Sequence, residues 1–170
     1  MADTNFLSTL EDPTLFREAN YIDGQWLEVG EGRSIVVTNP ANGKVLGRVP
    51  SLGAVETARA IAAARRAQPA WRALTAKERA AKLRVLFELM ITHREDLARI
   101  MTAEQGKPLS ESRGEITYAA SFIEWFAEEG KRVYGDTIAS HSPNSRIIVQ
   151  KEPIGVFAAI TPWNFPAAMI

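Results

Sequence analysis

The stretch that decides the fold is Ile154-Gly155-Val156-Phe157-Ala158-Ala159-Ile160, followed at once by Thr161-Pro162-Trp163-Asn164-Phe165-Pro166. The first part carries no charge and no alternation of polar and apolar side chains, which is typical of a parallel β-strand covered on both faces. Pro166 then favours the first turn of a helix. A parallel strand needs neighbouring strands joined through helical crossovers, so the pattern predicts an α/β fold.

Residues 167–170, which follow this motif, leave no room for the rest of such a sheet. They predict a helix that is entering its first turn, with no cap, charge or loop after it. Met1 has the character of a natural initiator. We therefore expect the chain to be the N-terminal portion of a longer protein, with the missing strands on the C-terminal side.

Charge and cysteine content exclude several classes of function. The 170 residues hold 20 basic and 20 acidic side chains, which are scattered, so we expect no nucleic-acid partner. Neither a signal-peptide pattern nor an apolar run near the roughly 20 residues of a membrane span occurs, which predicts a cytoplasmic protein without a membrane partner. Cysteine is absent, which excludes a disulfide, a thiolate metal ligand and a thiol nucleophile within these residues, and no metal site is predicted.

Two short strand pairs are predicted near the start, after an N-terminal arm without clear periodicity. Asp23-Gly24 lies between Tyr21-Ile22 and Trp26-Leu27, and this pair suits a type I′ turn. Residues 35–37 and 45–46 flank a second, longer connection made of turn-forming residues, 39–43. Both pairs are expected to lie beside a larger body.

Four helices are predicted next. The first covers 54–66 and should end before Pro69. Capping boxes of Thr75 with Glu78 and of Thr92 with Glu95 should start the second and third, and Gly106 should end the third.

The fourth helix should open at Ser112 and Glu115, which form another such pair. Its apolar stripe is wide and calls for a large partner surface. The stripe contains Ile116, Ala119, Ala120, Phe122, Ile123, Trp125, Phe126 and Ala127.

The motif at 160–166 follows the carboxyl end of the predicted buried strand, where ligands bind in open α/β sheets. Pro153-Ile154-Gly155-Val156 with 161–166 resembles the PxGV and PWNFP elements of the aldehyde dehydrogenase superfamily, and Glu104-Gln105-Gly106-Lys107-Pro108 is similar to its EQGKP segment. Over 20–170 the chain is most similar to the bacterial succinate-semialdehyde dehydrogenases. Several elements in the same order are more specific than any one of them.

The resemblance implies a mechanism in which a cysteine thiolate attacks the aldehyde, hydride passes to NAD or NADP, and water hydrolyses the thioester. Asn164 matches the asparagine of the family's oxyanion hole, and its neutral amide suits that task because it donates without titrating. The alternative is that Asn164 only caps the next helix. Both roles can coexist.

Neighbouring positions match other parts of the family's site. Ile160, Thr161, Pro162 and Trp163 match the wall of the cofactor cleft, with Trp163 as a core anchor the alternative. Phe165 and Met169 match the wall of the substrate tunnel, although such residues are more often core. Three polar residues are instead expected to be solvated and are not assigned to the site: His93, Arg113 and His141.

The resemblance also implies a domain organisation. Residues 1–19 are an N-terminal arm, 20–135 belong to a Rossmann-like coenzyme-binding domain, 136–152 form an extended oligomerisation region, and 153–170 hold the first strand of the sheet and the next helix start. A homo-oligomer, dimeric or tetrameric, is expected, with the polar segment 145–150 as an exposed edge.

The whole protein is thus expected to oxidise succinate semialdehyde to succinate in 4-aminobutyrate degradation. The family's nucleophilic Cys, general-base Glu, ribose-binding Lys and the substrate-binding Arg all lie further on, so the chain alone should be inactive. NAD versus NADP stays open. Alternatives are a glutarate-semialdehyde or betaine-aldehyde enzyme, or a non-catalytic helical binding or assembly module.

Overall fold

The computed structural model describes residues 4–29 and 32–170. Residues 1–3 of the predicted arm and residues 30–31 lie outside the described part. Within it, a short helix and a 3-10 turn come first, two hairpins and four long helices follow, a third hairpin comes next, and the last residues are irregular. In the described ranges no helix is long and apolar enough to cross a membrane.

The N-terminal arm is attached more firmly than the sequence suggests. Helix α1 covers Thr4–Leu7, and a 3-10 turn covers Pro13–Leu15. Leu10 is buried between them. The main-chain N–H groups of Glu11 and Asp12 donate to the two carboxylate oxygens of Asp96 at 3.0 and 2.8 Å. Two charge-assisted hydrogen bonds and a buried leucine therefore fix the arm to the helices.

Both predicted strand pairs are present. Strands β1 (Ala19–Ile22) and β2 (Gln25–Glu28) pair antiparallel around Asp23 and Gly24, which have φ of 55° and 79°. Both values are positive, as a type I′ turn requires. Strands β3 (Ser34–Thr38) and β4 (Val45–Pro50) form the second antiparallel pair.

The four helices are α2 (Ala54–Ala73), α3 (Ala76–Thr92), α4 (Arg94–Gln105) and α5 (Leu109–Glu129). Two predicted signals are confirmed. The Thr75–Glu78 capping box starts α3, and Gly106, with φ of 83°, ends α4.

Three predicted boundaries are wrong. Helix α2 continues past Arg66 with Pro69 inside it, because a proline removes one hydrogen bond and the good helix formers after it carry the helix on. Helix α4 begins after His93 rather than at a Thr92–Glu95 box, since the Glu95 carboxylate pairs with Arg113.

Helix α5 begins at Leu109, directly after Pro108, so Ser112 and Glu115 do not open it. Both are buried on its inner face. That face packs on α3 and α4, where Ala98, Met101 and Ile116 form a small apolar core. Trp125 and Phe126, also on α5, remain 62% and 59% exposed.

After α5 the chain forms an exposed hairpin of β5 (Asp136–Ile138) and β6 (Ile147–Val149), which pair antiparallel. Residues 150–162 then have no regular secondary structure. The strand predicted at 154–160 is therefore absent from the structure. The helix predicted after Pro166 is also absent, because the structure has only turns there. A strand is defined by its hydrogen-bonded neighbours, and no described strand lies beside this segment.

Candidate active site

The residues matching the catalytic motif lie in a turn at the end of the chain. The N–H of Phe165 donates to the carbonyl of Pro162 at 3.3 Å, which closes the turn around Trp163 and Asn164. Both of these side chains are exposed. In the described residues the side-chain amide of Asn164 makes no hydrogen bond, so it is free to donate to a ligand.

The structure brings this turn against the segment between α4 and α5. Lys107 Nζ donates to the main-chain oxygen of Asn164 at 2.7 Å, and it also pairs with the carboxylate of Glu115. The same ammonium lies 4.3 Å from the ring centroid of Phe165, which is cation–π distance. The two sequence motifs, at 104–108 and 162–166, are thus in contact with each other.

Glu115 holds the other side of the turn. Its Oε1 accepts the main-chain N–H groups of Ala167 and Ala168 at 3.0 and 3.4 Å, while Oε2 faces Lys107. The side chains of Lys107 and Glu115 are only 9% and 1% exposed. A buried carboxylate therefore satisfies amides that a capping side chain would otherwise serve.

The segment that carries Lys107 is fixed by Gln105 and Gly106. Gln105 Nε2 donates to the main-chain oxygen of Trp163 at 3.4 Å, while its buried Oε1 has no partner in the described part of the chain. Gly106 has φ of +83°, and a Cβ there would lie 2.8 Å from Cγ of Pro40. Only glycine fits this position without strain.

A shallow cavity of about 390 Å³ lies where the two segments meet. Its lining comes from Gln105, Gly106, Lys107, Pro108, Glu111, Trp163, Asn164 and Phe165. Asn164 therefore faces a space that one small group can occupy. The described residues include no cluster of acidic or histidine side chains arranged to hold a metal ion.

The predicted cofactor residues form an open wall. Ile160 and Trp163 are 96% and 80% exposed in these 170 residues. Together with Thr161 and Pro162 they offer apolar faces and main-chain groups, which fits one side of a nucleotide cleft. The predicted tunnel residues Phe165 and Met169 are 39% and 45% exposed.

The polar residues left out of the site lie elsewhere. Arg113 is held by the carboxylate of Glu95 at 2.7 and 2.8 Å, and His93 stands at the start of α4. His141 is exposed in the loop between β5 and β6.

Lys107 and Glu115 are the residues that the sequence analysis missed as parts of this site. A signal for Glu115 is present, because it lies four residues before Ala119 on the apolar stripe of α5. A carboxylate at such a position is buried and needs a partner. Lys107, which belongs to the motif at 104–108, is the oppositely charged partner of Glu115.

Comparisons with known proteins identify the family of the chain. The model of the aldehyde dehydrogenase family matches residues 26–170. The glutarate-semialdehyde dehydrogenase of Pseudomonas putida is 68% identical over 161 residues, 95% of this chain and 34% of that protein. The NADP(+) succinate-semialdehyde dehydrogenase of Escherichia coli K12 is 67% identical over the same length, 95% of this chain and 33% of its own.

A solved succinate-semialdehyde dehydrogenase from Burkholderia pseudomallei is 60% identical, with a TM-score of 0.92 over 95% of this chain and 33% of that one. This likeness confirms the predicted α/β fold class as that of the N-terminal third of such enzymes. The chain spans about a third of the length of the curated relatives it matches. By its sequence from 26 to 170 and by its fold, this chain belongs to the aldehyde dehydrogenase family.

Proposed function

We propose that these residues are the N-terminal part of an NAD(P)-dependent aldehyde dehydrogenase that oxidises succinate semialdehyde to succinate, as in 4-aminobutyrate degradation. The observation that carries the proposal is Asn164, whose side-chain amide is free while the main chain around it is held by Lys107 and Glu115. A donor held in this way suits the stabilisation of a developing oxyanion. The relatives named above are enzymes of this class.

Asn164 supplies one hydrogen-bond donor to the reaction. When a nucleophile adds to the aldehyde carbon, negative charge develops on the aldehyde oxygen, and the Asn164 N–H donates to that oxygen without losing its proton. The chain has no cysteine, so the thiolate expected from the family resemblance must come from the remaining two thirds of the enzyme.

Residues 160–163 would form one wall of the NAD(P) site. Bound NAD(P)⁺ supplies a hydride acceptor. The exposed faces of Ile160 and Trp163 would exclude water from one side of the nicotinamide, and the main-chain groups at Thr161 would bind its polar edges. No charged side chain lies in this wall, so it does not select between NAD and NADP.

The choice of aldehyde rests on the relatives. The glutarate-semialdehyde and succinate-semialdehyde enzymes are 68% and 67% identical to this chain, so residues shared by both cannot separate their substrates. Glutarate semialdehyde is therefore the second candidate. Both substrates carry a carboxylate, which an arginine from the rest of the enzyme would bind.

The test is a substrate panel on the full-length enzyme that contains this chain. Succinate semialdehyde, glutarate semialdehyde and betaine aldehyde would each be assayed with NAD and with NADP, and kcat/KM compared. We expect the highest value with succinate semialdehyde. A higher value with glutarate semialdehyde would favour the second candidate, and no oxidation of any aldehyde would favour a non-catalytic binding or assembly module.

We also propose that the full-length enzyme is a homo-oligomer. The β5–β6 hairpin is exposed along its whole length, and Ile148 on it is 69% exposed. An apolar strand edge of this kind pairs readily with a second copy.

A further inference from the structure

We infer that Lys107 and Glu115 are positioning residues that set the direction of the Asn164 amide, an inference that rests on the proposed function. The pair holds the main chain at Asn164 and in the residues that directly follow it. Lys107 binds the carbonyl oxygen of Asn164, and Glu115 binds the N–H groups of Ala167 and Ala168. That backbone fixes the Cα–Cβ bond of Asn164 and therefore the position from which its amide can reach a substrate.

Each member of the pair has three contacts. The Lys107 ammonium contacts the Glu115 carboxylate, the Asn164 carbonyl and the face of Phe165, and the Glu115 carboxylate accepts from Lys107 and two main-chain amides. Charged groups that are each held by several partners have little freedom to move. The turn that carries Asn164 is therefore bound to two charges whose positions are fixed.

Stability alone does not explain so buried an ion pair. Taking both charges out of water costs several kcal/mol per ion, and apolar residues of similar volume often fill such a place equally well. What an apolar pair cannot do is bind a carbonyl and two N–H groups at once. The role that requires these charges is therefore to fix the backbone of 164–168.

The pair is itself mounted on rigid elements. Glu115 lies on α5, whose Ile116 packs against Met101 of α4 in the small core. Lys107 follows Gly106, the residue whose positive φ sets the exit of the chain from α4. A donor supported in this way keeps its direction through the reaction, and a displacement of about 1 Å can cost about 10²-fold in rate.

The test uses the full-length enzyme in four forms: unmodified, Lys107→Met with Glu115→Gln, Asn164→Ala, and all three changes together. The double variant removes both charges and so leaves neither one buried alone. We expect it to lower kcat by about 10- to 100-fold while KM changes by about threefold or less. The triple variant should have the same kcat as Asn164→Ala, because the pair acts through Asn164.

Two further variants separate positioning from general damage. Lys131→Met with Glu128→Gln makes the same chemical changes in an exposed pair that joins the end of α5 to the 3-10 turn after it, Gly130–Arg132, and it should keep the kcat of the unmodified enzyme. Glu115→Asp keeps both charges but draws the carboxylate back by one methylene, so it should lower kcat while KM changes little, and it should also lower Tm because the pair is buried. If the double variant does not fold, the kcat of the Glu115→Asp enzyme tests the inference in its place.

Each other outcome overturns the inference in a recognisable way. A double variant and a Glu115→Asp enzyme that retain kcat within about twofold would show that the pair does not position Asn164. Losses that multiply in the triple variant would show that it acts independently of Asn164. An unmodified enzyme that oxidises no aldehyde would refute the proposed function as well, which the first two results would not.

Discussion

Glu115 and Ala167 are joined by a hydrogen bond of 3.0 Å, from the main-chain N–H of Ala167 to the Glu115 carboxylate. If Asn164 capped a helix here, Ala167 would be the residue whose N–H its side chain accepts, since Pro166 has none. A carboxylate from α5 already occupies that position. Capping therefore does not account for an asparagine at 164.

Replacing Asn164 with Ala in the full-length enzyme should abolish most turnover. Loss of one preorganised oxyanion donor costs about 10²–10³ in kcat, and KM should change far less because charge develops only during attack. Tm should remain nearly unchanged, since Glu115 serves the amides of the turn. Steady-state kinetics and thermal unfolding of the one variant check both statements.

Asn42→Ala is the matched control for this prediction. The Asn42 side chain accepts the N–H of Lys44 at 2.9 Å in the loop between β3 and β4, so its loss should cost about 1 kcal/mol and leave kcat unchanged. If instead Asn164→Ala lowered Tm and kept near-normal turnover, the catalytic assignment would be wrong and Asn164 would be structural.

Gly106→Ala should destabilise the enzyme, whereas Gly114→Ala should stabilise it. Alanine at Gly106 would adopt a left-handed conformation that costs about 1–2 kcal/mol, and its Cβ would meet Cγ of Pro40 at 2.8 Å. Gly114 lies inside α5 with no described atom within 4 Å of an added Cβ, so alanine there should add about 0.5–1 kcal/mol. Chemical denaturation measures both; equal effects of the two substitutions would contradict the argument.

Features that depend on neighbouring residues could be predicted from the sequence. The Asp23-Gly24 turn, the Thr75–Glu78 box and the stop at Gly106 each depend on contacts within a few positions, and each is confirmed. The PWNFP and EQGKP motifs also lie on two segments that contact each other in the structure.

Features that depend on distant partners could not be predicted. Ser112 and Glu115 have the spacing of a capping box, but Glu115 pairs with residues 52 and 53 positions later, and Glu95 pairs with Arg113. Local patterns do not reveal which long-range contact will compete for a carboxylate. The strand expected at 154–160 fails for a related reason, because its neighbours are not among the described strands.

Acid should weaken the Glu95–Arg113 contact. The two hydrogen bonds from Arg113, with help from the charge of Arg113 and from Arg99, hold the pKa of Glu95 at about 2, below its ordinary 4.5. A carboxyl group whose pKa is lowered on folding stabilises the fold above its unfolded pKa, and that contribution is lost as pH falls from about 4.5 towards 2.

The difference in Tm between the unmodified enzyme and Glu95→Gln should therefore shrink across that pH range. Arg113→Gln should show the same trend, since it removes the main cause of the low pKa. Glu95 is about a third exposed, so the effect should be modest and should fall further in high salt. A difference independent of pH would contradict this account.

Ile148→Lys in the full-length enzyme should weaken self-association. Ile148 is 69% exposed on β6, and a lysine on an edge strand opposes pairing with another strand. Light scattering at micromolar concentration should show a smaller species than the unmodified enzyme forms. His141→Lys, in the exposed loop of the same hairpin, is the control and should leave the mass unchanged. If the unmodified enzyme is itself monomeric, the proposal of a homo-oligomer is wrong.

These 170 residues, produced alone, should be insoluble or loosely packed, and they should be inactive. The larger buried apolar side chains in the described part are Leu10, Leu46, Met101 and Ile116, and most of the remaining core is alanine, which removes little area from water. Ile154, Phe157 and Ile160, by contrast, are 95%, 79% and 96% exposed. Surfaces of this kind favour association and binding of hydrophobic dyes over a compact monomer.

A pair of measurements separates this explanation from general instability. Ile154→Gln with Phe157→Gln should reduce dye binding and association of the 170 residues alone, because it removes two of the most exposed apolar side chains. In the full-length enzyme the same change should lower Tm, because we expect this segment to be a buried strand there and a buried amide without a partner costs about 1–3 kcal/mol. Opposite effects in the two settings would support a segment that is completed by the rest of the enzyme. A monomer of the 170 residues with sharp, cooperative unfolding and no dye binding would show instead that the segment needs no covering.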